Sequence, residues 1–282
     1  MQNRVLRVLL LVSIMVCFAA GYHWFTRPDG SPPTPPDLTG EPDKEPGPSN
    51  LISTIARMRE QLRNVPGRTG ILAETRQYSL FDEELIIRDF FQDREGGFFV
   101  DVGCAWPIKA SNTYYLEKHL GWKGIAIDAL REYASDWERE RPATKFLSYL
   151  VTDHSGTEDT FFKSQSLGLS SAERRRADGR HFGDTLEVEE ILVPSTTLDD
   201  LLAREGVTKI DLLAMDIEGH ELKALRGLDI DRFRPELVVA EGKRLGVTAY
   251  LDEHGYEVIE RYQPFDFVNA YYQRRAGAHG SQ

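Results

Sequence analysis

Five acidic residues stand at the downstream ends of apolar runs: Asp101, Asp128, Asp153, Asp216 and Glu241. If those runs are parallel strands of one sheet, their ends share an edge, and the carboxylates ring the crevice where open α/β sheets bind ligands. Acids so placed accept hydrogen bonds from hydroxyl groups. One of raised pKa can also take a proton. Asp128 lies about 25 residues beyond the turn at Gly103, where an acidic residue meets the ribose of a nucleotide cofactor. The candidates for orienting a second substrate, or for taking its proton, are Asp216, Glu218, His220 and Glu241. Asp216 suits positioning and His220 suits a base. Any single acid of this kind is more often a helix cap or a solvated charge, so the set of five carries the reading. Asp216 with Glu241 also offers the oxygen ligands that Mg²⁺ prefers, but without a ligand count no metal is assigned.

The glycine count narrows the cofactor. A dinucleotide fingerprint needs G-x-G-x-x-G so that backbone can approach a pyrophosphate, and between Asp101 and Ser111 only Gly103 is present. Pyrophosphate binding is disfavoured. S-adenosylmethionine carries no phosphate, and its sulfonium and amino acid moiety suit an acidic strand end beside a turn with few glycines.

The elements that would position these residues alternate. A strand-like run from Phe98 ends at Asp101 and Gly103, a helical run covers Ser111 to Leu120, G-W-K-G-I-A-I-D is a strand and Tyr133 to Arg141 a helix. K-F-L-S-Y-L-V-T reads as one strand and T-F-F-K-S as a short one. Ser164 to Asp184 is polar and Arg-rich, a loop or lid in which Arg174, Arg175 and Arg176 are a candidate anion clamp, although a charge run is usually a solvated face. T-L-D-D-L-L-A-R and G-H-E-L-K-A-L-R-G are helical; I-D-L-L-A-M-D and P-E-L-V-V-A-E are strands; Y-E-V-I-E-R-Y with F-V-N-A-Y-Y closes the sheet. Such alternation predicts a mostly parallel sheet with helices on both faces.

The chain of 282 residues, 41% hydrophobic, can bury a real core. A net charge of -11 argues against a nucleic-acid partner, which would call for a basic patch. Two cysteines, Cys17 and Cys104, make no internal disulfide framework. Arg4 and Arg7 precede an uncharged apolar run, Val8 to Phe25, which predicts a single transmembrane signal anchor over residues 1–25, with the arginines cytoplasmic in a type II arrangement. The competing reading is a signal peptide cleaved near Ala19-Ala20-Gly21, which would release a secreted protein. Residues 26–50 are a Pro-rich disordered stalk, 51–95 a helical lead-in, 96–275 the catalytic domain and 276–282 a tail.

V-D-V-G-C-A-W-P-I-K-A-S-N-T-Y-Y-L-E-K-H-L-G-W-K-G-I-A-I-D, L-V-T-D-H-S-G-T-E-D-T-F-F, S-T-T-L-D-D-L-L and I-D-L-L-A-M-D-I-E-G-H-E-L-K-A-L-R-G resemble the FkbM family of S-adenosylmethionine-dependent methyltransferases. The most specific piece is M-D-I-E-G-H-E. The resemblance runs from about Gly97 to about Tyr262 and implies a class I, Rossmann-like methyltransferase fold. It implies S-adenosyl-L-methionine as cofactor, with Asp101, Gly103, Asn112, Asp128 and Asp153 on the cofactor side. It also implies O-methylation of a small-molecule, glycan or lipid-linked acceptor. Two positions differ from the family's usual pattern: Trp106-Pro107 follows the glycine turn, and Asp128-Ala129 stands where Glu-Pro is common. Two other classes stay open, a catalytically silent membrane-tethered binding module and, disfavoured by the missing glycines, a nicotinamide-dependent oxidoreductase.

Overall fold

The computed structural model describes residues 60–62, 64–165, 170–178, 186–241, 245–266 and 268–276. The predicted anchor, the stalk and the first nine residues of the helical lead-in, 51–59, lie outside the described residues. Among the described residues, no helix is long and apolar enough to cross a membrane.

Helix α1 (Glu83–Phe91) leads into strand β1 (Phe98–Val102), followed by α2 (Tyr114–Leu120), β2 (Lys123–Asp128), α3 (Ala134–Glu140) and β3 (Lys145–Ser148). Next come β4 (Leu150–Val151), β5 (Glu158–Ser164), α4 (Arg174–Ala177), β6 (Val188–Thr196), α5 (Leu198–Arg204) and β7 (Leu212–Met215). The chain closes with α6 (Glu221–Arg226), α7 (Ile230–Phe233), β8 (Leu237–Glu241), α8 (Leu245–Glu253), β9 (Tyr256–Val258) and β10 (Asn269–Arg274). Seven strands form one sheet in the order β3-β2-β1-β7-β8-β10-β9. The first five run parallel, and β10 is antiparallel to both neighbours. This is an α/β fold with a mostly parallel sheet.

Strand alternation assigns the two faces of this sheet. Val100 and Val102 of β1 pack with Leu201, Leu202, Leu225 and Leu251, from helices α5, α6 and α8. Phe99 packs on the other face with Leu85, Ile86, Trp122 and Tyr271. Both faces are covered, so the central strands read as unbroken apolar runs rather than alternating ones. Helix α5 starts where Thr197 accepts a hydrogen bond from the Asp200 amide at 3.1 Å, the usual capping role of a threonine.

K-F-L-S-Y-L-V-T does not make one strand. It divides at Tyr149 into β3, in the large sheet, and β4, which joins β6 and β5 in a separate three-stranded sheet. Strand β5 extends the expected short strand, and its partner β6 pairs with it along seven residues.

Candidate active site

Strand order reverses between β1 and β7: β1 continues to β2 and β3, while β7 continues to β8. The crevice beyond the carboxyl ends of such strands is where this architecture holds ligands. A cleft of about 1050 Å³, counting space open to solvent, occupies that position. Gly103, Trp106, Asn112, Asp128, Asp216 and Glu218 are among its lining residues.

The loop after β1 is bent by three residues in the left-handed region: Gly103 (φ 81°), Ala105 (φ 42°) and Ala110 (φ 56°). Asp128 holds it from the side. One oxygen of its carboxylate accepts from the Ala105 amide (3.1 Å) and the other from the Leu130 amide (2.8 Å). Burial raises the Asp128 pKa to about 6, against those two amide bonds. Each oxygen keeps a lone pair for a ligand hydroxyl. Trp106 sits on the cleft wall, its ring edge-on to Tyr133 at 6.0 Å between centroids. Cys104 also lines the cleft, and burial pushes its thiol well up, away from reactivity.

Arg141 supports the same loop from below, and nothing in its sequence position announces it. Its buried guanidinium donates to the Pro107 carbonyl (3.2 Å), the Ser111 hydroxyl (3.2 Å), the Thr113 hydroxyl (3.0 Å) and the Glu117 carboxylate (2.7 Å). Asp101 belongs to this network rather than to the cleft lining. Its carboxylate accepts from Thr113 at 2.7 Å, and burial raises its pKa while Thr113 and Arg141 oppose the rise. The period-2 geometry explains the placement, because Asp101 shares the face of Phe99 and turns toward α2.

The opposite side of the cleft is built by the ends of β7 and β8. Asp216 opens onto the cleft, and one oxygen from each of Asp216, Glu218 and Glu241 lies within 4.8 Å of the others. Asp216 is exposed where it faces the cleft, yet the low-dielectric walls around it, then the nearby Glu241, Glu221, Glu83 and Asp101 charges, push its carboxyl well above the usual carboxylate range. Glu218 is raised by burial, Glu241 and Asp216, with Arg176 opposing. Glu221, also missed at the sequence level, fixes this loop: its Oε1 accepts from the Ile217 amide (3.3 Å) and the Gly219 amide (3.0 Å). The signal available was the E-G-x-E spacing, which puts an acid in the first turn of α6.

Besides Asp101, two more of the nine sequence candidates lie elsewhere. Asp153 is partly exposed beyond β4 and binds His154 at 3.0 Å, which lowers its pKa. His220 is buried at the start of α6, with Nε2 3.3 Å from the Thr152 hydroxyl and its pKa lowered by burial. It is not among the residues lining the cleft, so His220→Ala is expected to slow turnover by less than about tenfold, below the 10²–10⁴ range of an acid–base residue. A loss within that range in a steady-state kcat measurement would restore the base role. Arg174 and Arg175 make exposed pairs with Glu190 (3.7 Å) and Glu173 (3.2 Å).

Behind Asp216, the cleft-lining Glu83 is buried with Asp266 as neighbour; its Oε2 accepts from the Phe81 amide at 2.7 Å. Burial, then Asp266, raise Glu83 from 4.5 to about 8. A carboxyl that holds its proton more tightly when folded contributes stability that is complete below its unfolded pKa, and that stability is lost as pH rises through the folded one. Urea midpoints are therefore expected to fall between about pH 5 and pH 8. Glu83→Gln should flatten that slope, and an unchanged slope in the variant would contradict the assignment.

The methyltransferase FkbM domain model matches residues 101–258, more than half of the chain. The 31-O-demethyl-FK506 methyltransferase FkbM of Streptomyces tacrolimicus is 26% identical over 218 residues, covering 66% of this chain and 82% of that protein. Two solved structures align at low similarity. A TehB-like SAM-dependent methyltransferase from Corynebacterium glutamicum has a TM-score of 0.38 at 13% identity, covering 79% of this chain and 99% of that one. A putative type 11 methyltransferase from Sulfolobus solfataricus has a TM-score of 0.34 at 12% identity, covering 72% and 98%.

The cofactor is S-adenosyl-L-methionine, and the residues present fit it. A Cβ at Gly103 would meet the Asp216 carbonyl oxygen at 1.9 Å, so only glycine allows the two loops of the cleft to close on each other. Asp128 stands on the ribose side, and Ile127, Leu130 and Phe161 give an apolar wall for a purine. From Asp101 in β1 to Val258 at the end of β9, the match takes in both cleft-forming loops, and the chain belongs to the FkbM methyltransferase domain family.

Proposed function

We propose that the protein transfers a methyl group to a hydroxyl oxygen of a small acceptor, of the sugar, lipid-linked glycan or secondary-metabolite class. The observation that carries this reading is the Asp216 carboxylate, which opens onto the cleft at the switch point with its pKa raised above the usual carboxylate range. When bound, the cofactor supplies a methyl group on a positively charged sulfur. The protein then has to hold the acceptor oxygen in line with that methyl, about 3 Å away, and to receive the hydroxyl proton. Asp216 can do both, because it sits beside the Gly103 turn and keeps a proton-accepting oxygen toward the cleft. Asp128, across the crevice, orients the ribose hydroxyls. The relative's name places its methyl group on an oxygen, which supports the same choice of atom here. Carboxylates at the acceptor side also suit a hydroxyl donor.

The test is to incubate the protein with methyl-labelled S-adenosylmethionine and glycan or lipid extracts, and to identify the labelled product by mass spectrometry. An O-methyl ether is expected. A product labelled only on nitrogen, sulfur or carbon would overturn the choice of acceptor.

A further inference from the structure

The geometry points to a binding site for one hard divalent cation between Asp216, Glu218 and Glu241, at the acceptor side of the cleft. The inference rests on the methyltransferase reading for its use, but not for its existence. Asp216 follows β7, Glu241 ends β8, and Glu218 lies two residues beyond Asp216. One oxygen from each comes within 4.8 Å of the others. Two oxygens on opposite sides of a single ion are separated by ~4.0–4.2 Å for Mg²⁺ and ~4.6–5.2 Å for Ca²⁺, twice the usual metal–oxygen distances. The three oxygens therefore span one ion, with ~0.6 Å of closure needed for the smaller cation.

Glu218 supplies an independent sign of a missing ligand. Its side chain is only 4% exposed, it lines the cleft, and its Oε2 is buried with no hydrogen-bond partner among the described residues. Leaving a carboxylate oxygen so placed is costly unless a proton or a cation meets it. The backbone is committed to this arrangement as well: Glu218 has φ 55°, and Glu221 pins the amides on either side of it.

All three donors are carboxylate oxygens, which select Mg²⁺, Mn²⁺ or Ca²⁺ over softer metals. Three protein oxygens leave about three positions of an octahedron, and Asp216 turns that open side to the cleft. An acceptor hydroxyl placed there would be acidified by the ion. One Asp216 oxygen on the ion leaves the other free to receive the proton.

The full chain, stripped with chelator, should bind one Mn²⁺ in titrations followed by electron paramagnetic resonance, with Mg²⁺ or Ca²⁺ competing. Glu218→Gln and Glu241→Gln should each weaken Mn²⁺ by more than about tenfold, a loss that removal of outer partners alone can cause. In chelator, neither variant should unfold at a lower temperature than the parent. Mn²⁺ should raise the unfolding temperature of the parent alone, a readout that stands even where a variant fails to fold. S-adenosylhomocysteine is titrated in parallel. Its binding without any Mn²⁺ binding overturns the metal site and leaves the methyltransferase reading intact. Mn²⁺ binding without S-adenosylhomocysteine supports the site while overturning that reading. Equal Mn²⁺ affinity in parent and variants overturns the ligand set.

Discussion

Asp216→Asn is expected to lower methyl transfer by about 10²–10⁴-fold, the range for removal of an acid–base group, with S-adenosylhomocysteine affinity changed only a few-fold. The amide matches the carboxylate in size and keeps an oxygen toward the cleft, so packing changes little. What it cannot do is take a proton. Asp216 is raised well above the usual carboxylate range by burial and by Glu241, Glu221, Glu83 and Asp101. In the parent the rate should therefore climb with pH over a limb lying above that range, as the carboxyl loses its proton. The variant should lose the limb. Cofactor binding depends on the other side of the crevice, where Asp128 is held by the Ala105 and Leu130 amides. A variant with parental turnover of labelled methyl would remove Asp216 from the chemistry.

Gly103→Ala should damage folding and cofactor binding together. The residue has φ 81°, which costs a non-glycine about 1–3 kcal/mol. Its Cβ would also stand 1.9 Å from the Asp216 carbonyl oxygen, a backbone atom that cannot rotate away. Overpacking in a tight core adds about 1–3 kcal/mol. A total of about 2–6 kcal/mol is expected in urea unfolding, with S-adenosylhomocysteine binding lost as the two loops separate. Gly156 provides the comparison. It has φ 83°, but a Cβ there meets nothing within 4 Å, so Gly156→Ala should cost only the backbone part. Equal losses at the two positions would show that the contact with Asp216 does not matter.

The central strands were legible because burial on both faces leaves apolar runs with sharp acidic ends, as at Asp128, Asp216 and Glu241. Asp128, Asp216 and Gly103 line the cleft, and Glu241 lies beside Asp216. Asp101 did not, although its run was equally clear. It lies one residue before the end of β1, and a single step along a strand turns a side chain to the opposite face. Strand β6 escaped because Glu189, Glu190 and Pro194 break the apolar signature of a run whose burial comes only in its second half. Tyr149 gave no sign that the chain changes sheets there, since β3 and β4 are both short and apolar. Arg141 and Glu221 were missed for a different reason. Arg141 matters through what it bonds to across the fold, Thr113, 28 residues away, while Glu221 matters through local bonds to the loop amides at Ile217 and Gly219. Composition and periodicity carry no record of such pairings.

The most direct measurement is calorimetry of the full chain and of Asp128→Ala with S-adenosylhomocysteine and with NAD. One S-adenosylhomocysteine should bind per parent chain, about 10–100-fold more weakly to Asp128→Ala, the loss expected from hydrogen bonds to a charged group; NAD should not bind. Binding of NAD in place of S-adenosylhomocysteine, or of neither to a folded parent chain, would contradict the assignment of the crevice between β1 and β7 to a methyl donor.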